Sequence, residues 1–250
     1  MTTSDRAADP LQRRGYRITR ERLIDGSHLA ELRANAPPGH QIRSDEEIDA
    51  CLRRALDKRP PGDVWVFGYG SLMWNPAFNF AEQKVAVVHG WHRRFCLWMR
   101  TGRGSPDNPG LMLALDRGGC CRGLAFRLAP EEVGQELLLL WRREMLSGSY
   151  DARWLTALTS DGPVTAVTFV VNRRHSRYAG ALPVDQVARH IATARGPLGS
   201  CAEYLHETVD HLQALGFHDE SLDRIVKRVP QRADRPAPAV VRTALAPAGS

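Results

Sequence analysis

The sequence lacks the features that mark membrane, secreted or metal-stabilised proteins. Its 250 residues contain no run of eighteen apolar residues, which predicts no transmembrane helix and no membrane partner. The start, Met1–Arg6, has no apolar core of a signal peptide, so we expect a cytoplasmic protein. The five cysteines are odd in number and form no C-x-x-C pair, which argues against a disulfide framework and a zinc site. We therefore expect no metal.

Concentrated positive charge is also missing, although the formal net charge is +6. The arginines are scattered and no block of five or more Lys and Arg occurs, so we expect no nucleic-acid partner. A mild attraction for small anionic substrates is a simpler use of the charge. With 43% hydrophobic and 25% charged residues, the composition indicates one large globular domain plus extensions.

The chain divides into three segments by its texture. Residues 1–60 are predicted to form a helical N-terminal extension, in which Ser44 begins a helix that ends at the proline- and glycine-containing stretch 59–62. Residues 61–229 alternate short apolar runs with glycine and proline and are predicted to form the main domain. Residues 230–250, rich in proline, alanine and arginine, are predicted to be a disordered tail.

The main domain is predicted to contain both strands and helices. One long helix is expected over 130–146, and another begins at Ser200, which makes a capping-box pattern with Glu203, and ends at Gly216. Because the strands are short, irregularly spaced and interrupted by helices, we expect a mixed barrel or curled sheet rather than a doubly wound fold. The predicted strands are 64–67, 84–88, 95–99, 111–115, 123–127 and 164–171.

A strand that runs into two glycines is the most distinctive local feature. The strand 64–67 is followed directly by a turn that contains Gly68 and Gly70. Glycine tolerates backbone angles that other residues avoid and allows a ligand to approach the main chain. Successive backbone N–H groups in such a turn can bind a carboxylate or phosphate. The alternative is an ordinary tight turn between two core elements. Judged from the glycines alone, this ordinary turn is favoured over an anion-binding one.

An acidic residue interrupts the apolar face of the helix 130–146. Glu144 lies in the middle of the stripe formed by Val133, Leu137, Leu140 and Trp141. An unpaired carboxylate facing a core is costly, so it should be paired, protonated or lining a cavity. Pairing with an arginine is one interpretation, and a general base with a pKa raised by burial is the other. Four polar residues are predicted on other faces of the helix: Glu132, Gln135, Arg142 and Arg143.

Other polar groups give weaker signals. His206 and His211 miss the spacing that places two metal ligands on one helix turn, and we expect them on a solvated helix surface. Ser71 does not fit the pattern of a nucleophile elbow. Three tyrosines fit either a core or a cavity lining, and the sequence does not decide between them: Tyr150, Tyr178 and Tyr204.

Several uncommon motifs follow one another in a recognisable order. They are Trp65–Pro76, Gly90–Phe95, Pro109–Leu115, Arg143–Met145 with Gly148–Tyr150, and Gly196–Gly199 with Glu203–Leu205. Together they resemble the signature of the ChaC family of glutathione-specific γ-glutamylcyclotransferases. The resemblance covers roughly residues 15–228, and the N-terminal extension is similar to that of the bacterial members.

The resemblance implies an α+β fold, a γ-glutamylcyclotransferase-like small mixed β-barrel flanked by helices. It also implies the substrate glutathione, cleaved to 5-oxoproline and cysteinylglycine, with no cofactor. Glu144 matches the catalytic glutamate of the family. Ser149 departs from a glycine common in the family, and Cys201 from an asparagine. The residues that match the substrate-binding positions are Phe67, Gly68, Tyr69, Gly70, Ser71, Leu72, Tyr150 and Tyr204.

Two other functions remain open from the sequence. A cyclotransferase of the same fold can act on other γ-glutamyl amides. A non-catalytic regulator is an alternative from a different class, since the family name comes from an association with cation transport. The acid on the helix stripe and the glycine turn favour an enzyme. The sequence predicts no particular protein partner.

Overall fold

The structure, a computed structural model, describes residues 18–36 and 41–230, and the statements below refer to these residues. The predicted disordered tail, apart from Pro230, lies outside the described residues, as do residues 1–17 of the predicted extension. No helix in the described part of the chain is long and apolar enough to cross a membrane.

Five strands form a closed barrel in the order β1-β3-β2-β4-β5. Neighbouring strands in this order run antiparallel, and β1 closes the barrel by pairing in parallel with β5. The expected mixed barrel is thereby confirmed. The strands are β1 (Trp65–Gly68), β2 (Glu82–Met99), β3 (Gly110–Arg127), β4 (Tyr150–Thr159) and β5 (Gly162–Val171), and a separate hairpin contains β6 (Arg195–Gly196) and β7 (Gly199–Ser200).

Two of the barrel strands are longer than the sequence predicted. The runs 84–88 and 95–99 belong to the single strand β2, and the runs 111–115 and 123–127 belong to β3. In β2 the apolar pattern stops at Gly90, which has a φ of 80° and lies where the pairing register with β3 shifts. The pairing of β2 with β3 resumes after this residue. The sequence missed β4 because most of its side chains are half-buried or exposed and show no continuous apolar run.

Seven helices lie outside the barrel in the described residues. The three predicted ones are confirmed, and capping boxes form at Ser44 with Glu47 and at Ser200 with Glu203. The sequence predicted no bounds for the other four, of which the first two lie in the predicted helical extension. The helices are α1 (Arg20–Ile24), α2 (Ser27–Ala34), α3 (Asp45–Leu56), α4 (Val133–Glu144), α5 (Val184–Thr193), α6 (Cys201–Ala214) and α7 (Glu220–Val226).

Helix α4 is held between the barrel and the N-terminal helices. On the barrel side Trp141 is fully buried and packs edge-to-face on Phe169 of β5, with ring centroids 5.2 Å apart. On the other side Arg142 donates to the carbonyl oxygen of Leu23 at 3.0 Å. Just beyond the helix, the N–H of Arg43 donates to the carbonyl oxygen of Leu146 at 2.8 Å. These contacts fix the last turn of α4.

Candidate active site

Glu144 is the last residue of α4, and its carboxylate is the partly open member of an ion pair. Its side chain is 18% exposed, and its Oε1 lies 3.0 Å from Nε of Arg143. Burial raises the pKa of Glu144, and the neighbouring guanidinium opposes this rise without cancelling it. The two interpretations of the sequence are therefore compatible, because the carboxylate is paired and its pKa is still raised.

Arg143 is buried, although the helical pattern assigned it to a face other than the apolar stripe. Leu137, Leu140 and Trp141 are buried as predicted, but Arg143 is only 7% exposed. Its guanidinium donates to Oγ of Ser71 at 3.0 Å and to carbonyl oxygens of the loop that follows. The glycine turn covers this side of the helix end, so a charged side chain is buried there. Helical periodicity contains no information on such a covering loop.

The two glycines of the turn have different roles, and neither adopts a positive φ. Gly70, with φ −135° and ψ −132°, nevertheless lies outside the helical and extended regions, so the expectation of unusual backbone angles holds for Gly70. A Cβ at Gly68 would lie 3.1 Å from Cβ of Leu72, which is closer than ordinary contact. A Cβ at Gly70 would make ordinary contacts, 3.7 Å from the hydroxyl oxygen of Tyr204 and 3.9 Å from Leu113. Gly68 thus allows close packing, whereas Gly70 lies beside Tyr204.

Backbone donors are available in this turn. Ser71–Met73 form one turn of 3₁₀ helix, in which the N–H of Met73 donates to the carbonyl oxygen of Gly70 at 2.9 Å. Among the described residues, nothing accepts a hydrogen bond from the N–H groups of Gly70, Ser71 and Leu72. The side chains of Phe67 and Leu72 are buried in the core, so they offer a ligand only their backbone.

Three tyrosines line the same end of the barrel. The hydroxyl of Tyr69 donates to the carbonyl oxygen of Phe169 at 2.9 Å, deep in the barrel. The hydroxyl of Tyr150 donates to the carbonyl oxygen of Leu113 at 3.2 Å. A Cβ added at Gly70 would have two neighbours, the side chain of Leu113 and the hydroxyl of Tyr204. The Tyr150 hydroxyl thus contacts the backbone of Leu113, while the Leu113 side chain and the Tyr204 hydroxyl both lie beside Gly70.

Electrostatics link these tyrosines to the acid. Burial is the main cause that raises the pKa of Tyr69, Tyr150 and Tyr204, and the Glu144 carboxylate raises each of them further. The carboxylate is therefore within electrostatic reach of all three phenols. Tyr178 is not in this group, because its hydroxyl donates to Asp116 at 3.0 Å in a separate cluster.

The two positions that depart from the family pattern are structurally satisfied. Ser149 is buried, and its Oγ lies 2.6 Å from Oγ of Ser147 and accepts from Arg177 at 3.2 Å. Cys201 is fully buried, and its Sγ donates to the carbonyl oxygen of Leu111 at 2.9 Å. Ser149 precedes Tyr150 directly, whereas Cys201 fixes the start of α6 against β3.

The histidines of α6 are not on a solvated surface as predicted. His206 and His211 are half-buried, and the His211 ring stacks on Trp74 with centroids 4.4 Å apart. The loop after the glycine turn covers this face of α6, which the sequence pattern did not reveal. No group of three or more potential metal ligands occurs in the part of the chain that the structure describes.

The cluster of Glu144, the glycine turn and the tyrosines is identified by its chemistry rather than by a deep cleft. Two shallow depressions lie elsewhere, one between Val87 and Leu158 and the other beside His190, and neither contains a member of the cluster. A closed mixed barrel flanked by helices, with a partly open Glu144 at the end of one of them, agrees with the γ-glutamylcyclotransferase-like fold that the sequence resemblance implies.

Comparison with known proteins gives the family within this fold class. The family model described as ChaC-like protein matches residues 64–232. The chain therefore belongs to the ChaC family. A glutathione-specific γ-glutamylcyclotransferase of Escherichia coli strain K12 is 44% identical over 188 residues, which cover 74% of this chain and 81% of that protein. A glutathione-specific γ-glutamylcyclotransferase 1 of Mus musculus is 37% identical over 68% of this chain and 79% of that protein.

Solved structures agree on the fold. A crystal structure of a γ-glutamyl cyclotransferase specific to glutathione from yeast aligns with a TM-score of 0.59 and 19% sequence identity. The alignment covers 70% of this chain and 100% of the yeast chain. At this level of identity the likeness supports the barrel architecture alone.

Proposed function

We propose that this chain cleaves glutathione by intramolecular cyclisation and releases 5-oxoproline and cysteinylglycine. The names of the two relatives support the substrate, because both are glutathione-specific γ-glutamylcyclotransferases. The observation that carries the proposal is the Glu144 carboxylate, which is partly open, has a raised pKa and lies beside a turn with free backbone donors.

The substrate contains its own nucleophile in this mechanism. The α-amine of the γ-glutamyl group attacks the γ-carbonyl carbon, forms the new C–N bond of a five-membered ring and displaces the amine of cysteinylglycine. The enzyme has to hold the chain folded and move protons from the attacking nitrogen to the departing one. The α-ammonium loses two protons on becoming the lactam N–H, and the amide nitrogen gains two on leaving as an ammonium ion. Holding two reacting groups in contact supplies on the order of 7–11 kcal/mol of the barrier.

Glu144 is the proposed general base. The α-amine arrives as an ammonium ion, so a carboxylate must remove its proton before the ring can close. A carboxylate whose pKa is raised is a better base near neutral pH than an ordinary glutamate. Glu144 then passes this proton to the departing nitrogen. The second proton that the ring nitrogen loses on becoming a lactam follows the same route, so the carboxylate is regenerated. The ion pair with Arg143 orients the carboxylate throughout.

The glycine turn is the proposed binding site for the γ-glutamyl end. The free N–H groups of Gly70, Ser71 and Leu72 are suited to the α-carboxylate and to negative charge that develops on the γ-carbonyl oxygen. Arg143 stabilises the turn through Oγ of Ser71. The phenols of Tyr150 and Tyr204 exclude water and form the wall beside Gly70.

The setting of this reaction is also part of the proposal. Ring closure transfers an acyl group and protons but no electrons, so no redox cofactor takes part. All five cysteines are free thiols, which fits the reducing cytoplasm. We further propose that residues 61–229 form the catalytic domain and that the described residues before them support α4.

Product analysis tests the proposal. The purified protein is incubated with reduced glutathione, and 5-oxoproline, cysteinylglycine and free glutamate are quantified together. We expect 5-oxoproline and cysteinylglycine in equal amounts. Free glutamate in place of 5-oxoproline would indicate hydrolysis, and no product from glutathione but 5-oxoproline from other γ-glutamyl amides would assign a different substrate.

A further inference from the structure

An arginine with no part in the mechanism above lies against the outer side of the tyrosine wall. Arg103 belongs to the loop between β2 and β3, and its guanidinium carbon lies 5.6 Å from the ring centre of Tyr204. Nη1 donates to the carbonyl oxygen of Ser200 at 2.9 Å, and the side chain is 19% exposed. The Tyr204 ring thus separates Arg103 from Gly70, which faces the hydroxyl of the same tyrosine.

The loop is built to hold Arg103 in one position. Gly102 has a φ of +74°, a conformation that other residues rarely adopt, and its carbonyl oxygen accepts from the N–H of Leu198 at 2.9 Å. A Cβ at Gly104 would lie 2.1 Å from the carbonyl oxygen of Met99, so only glycine fits there. Both neighbours of Arg103 are therefore restricted to glycine, and the guanidinium is presented by a fixed backbone.

The guanidinium retains capacity for an anion. Its ion-pair partner is Glu207, at 3.6 Å from Nη2, and the Glu207 side chain is 39% exposed. An ion pair with this distance and this exposure contributes little to the stability of the fold. The nearby Glu203 carboxylate accepts from the N–H of Ser200 in the capping box. Arginine has five N–H donors in a planar fork that matches a carboxylate, whereas the described contacts of Arg103 engage its two terminal nitrogens once each.

We propose that Arg103 binds the glycine carboxylate of glutathione, at the far end of the departing cysteinylglycine. This inference rests on the proposed function. The γ-glutamyl end lies at Gly70 and Glu144, and two extended residues span about 7 Å. That reach takes the dipeptide along the Tyr204 ring to Arg103. The site then selects γ-glutamyl compounds whose leaving group ends in a carboxylate, and it discriminates against simple γ-glutamyl amides.

A comparison of two substrates with two arginine variants tests this role. Reduced glutathione and its glycine ethyl ester share the γ-glutamyl-cysteinyl part and differ only at the glycine end, where the ester lacks the negative charge and carries an ethyl group. The wild-type chain should have a kcat/KM about 10- to 100-fold higher for the acid, the range for one hydrogen bond to a charged group. Arg103→Gln should lose most of this preference by slowing the acid and leaving the ester nearly unchanged.

Matched variants separate binding from a structural effect. Arg103→Lys retains the positive charge but lacks the planar, two-pronged guanidinium. It should therefore retain part of the preference for glutathione over its ester. Arg100→Gln, at an exposed arginine of the same loop, should leave the preference intact. Equal slowing of both substrates by Arg103→Gln would overturn the inference and make Arg103 structural. Absence of 5-oxoproline with the wild type would instead overturn the proposed function, so the two failures are distinguishable.

Discussion

Two glutamates of helix α4, Glu136 and Glu144, each form an ion pair with an arginine. The more exposed partner is the arginine in the first pair and the glutamate in the second. In the first pair Glu136 is fully buried and its partner Arg20 is 22% exposed. In the second pair the Arg143 side chain is 3% exposed and the Glu144 side chain is 18% exposed. The first pair closes the carboxylate away from solvent, whereas the second leaves the carboxylate as the accessible member.

The two carboxylates also differ in how many hydrogen bonds they accept from their surroundings. Glu136 accepts from both terminal nitrogens of Arg20 and from the N–H of Asn79 at 2.9 Å, so its oxygens are occupied. Glu144 lies instead near three buried phenols and the free N–H groups of the glycine turn. An ion pair on a helix is therefore not a sign of function by itself. The decisive difference is which partner is open and what faces it.

The largest expected effect comes from replacing each acid by its amide. Glu144→Gln should lower kcat by about 10²–10⁴-fold, because general base catalysis contributes that much. The melting temperature should stay close to the wild-type value, since the amide is nearly isosteric. Turnover and thermal unfolding are measured on the same preparation, and retention of more than about a tenth of the wild-type rate would remove Glu144 as the base.

Glu136→Gln is the matched control and should show the reverse. A neutral amide leaves the Arg20 charge without its partner, which should cost roughly 2 kcal/mol of unfolding free energy. The folded fraction should turn over glutathione at nearly the wild-type rate. A catalytic loss as large as that of Glu144→Gln, with an unchanged melting temperature, would show that the two pairs are not functionally distinct.

The next largest effect separates the two glycines. Gly70→Ala adds a methyl group beside the Tyr204 hydroxyl without a backbone conflict, so kcat/KM should fall about 10- to 100-fold while stability changes little. Gly68→Ala forces Leu72 to shift and should cost about 1–3 kcal/mol of stability. Melting temperature and kcat/KM are measured for both. A stable, fully active Gly70→Ala variant would show that the turn is scaffolding.

A smaller effect is expected at Arg143. Arg143→Gln removes the charge that opposes the rise of the Glu144 pKa, so the pKa should move further upward. It also releases the glycine turn from α4, and kcat/KM near neutral pH should fall on the order of tenfold. The pH dependence of kcat/KM shows both changes, with the acid limb displaced to higher pH. An unmoved limb would mean that the Arg143 charge does not act on the base.

Much of the fold and part of the site follow from the sequence. The 3.6-residue pattern predicted α4 and placed Glu144 on its apolar stripe, and cap residues predicted the starts of α3 and α6. The length of the strands did not follow, because pairing continues through glycine and polar positions where the apolar pattern stops. The burial of Arg143 did not follow either, since it depends on a loop some seventy residues away.

The acid limb of the wild-type kcat/KM profile for glutathione tests the central claim most directly, since it reports the base of the free enzyme. A folded-state pKa above the ordinary glutamate value of 4.5 means that the base loses its proton only above that value, so the rate should fall as pH decreases while the pH is still above 4.5. The limb should be unchanged in Glu136→Gln. A rate that stays constant down to pH values below 4.5, or a limb that moves with Glu136 instead, would contradict the assignment of the open pair as the catalytic one.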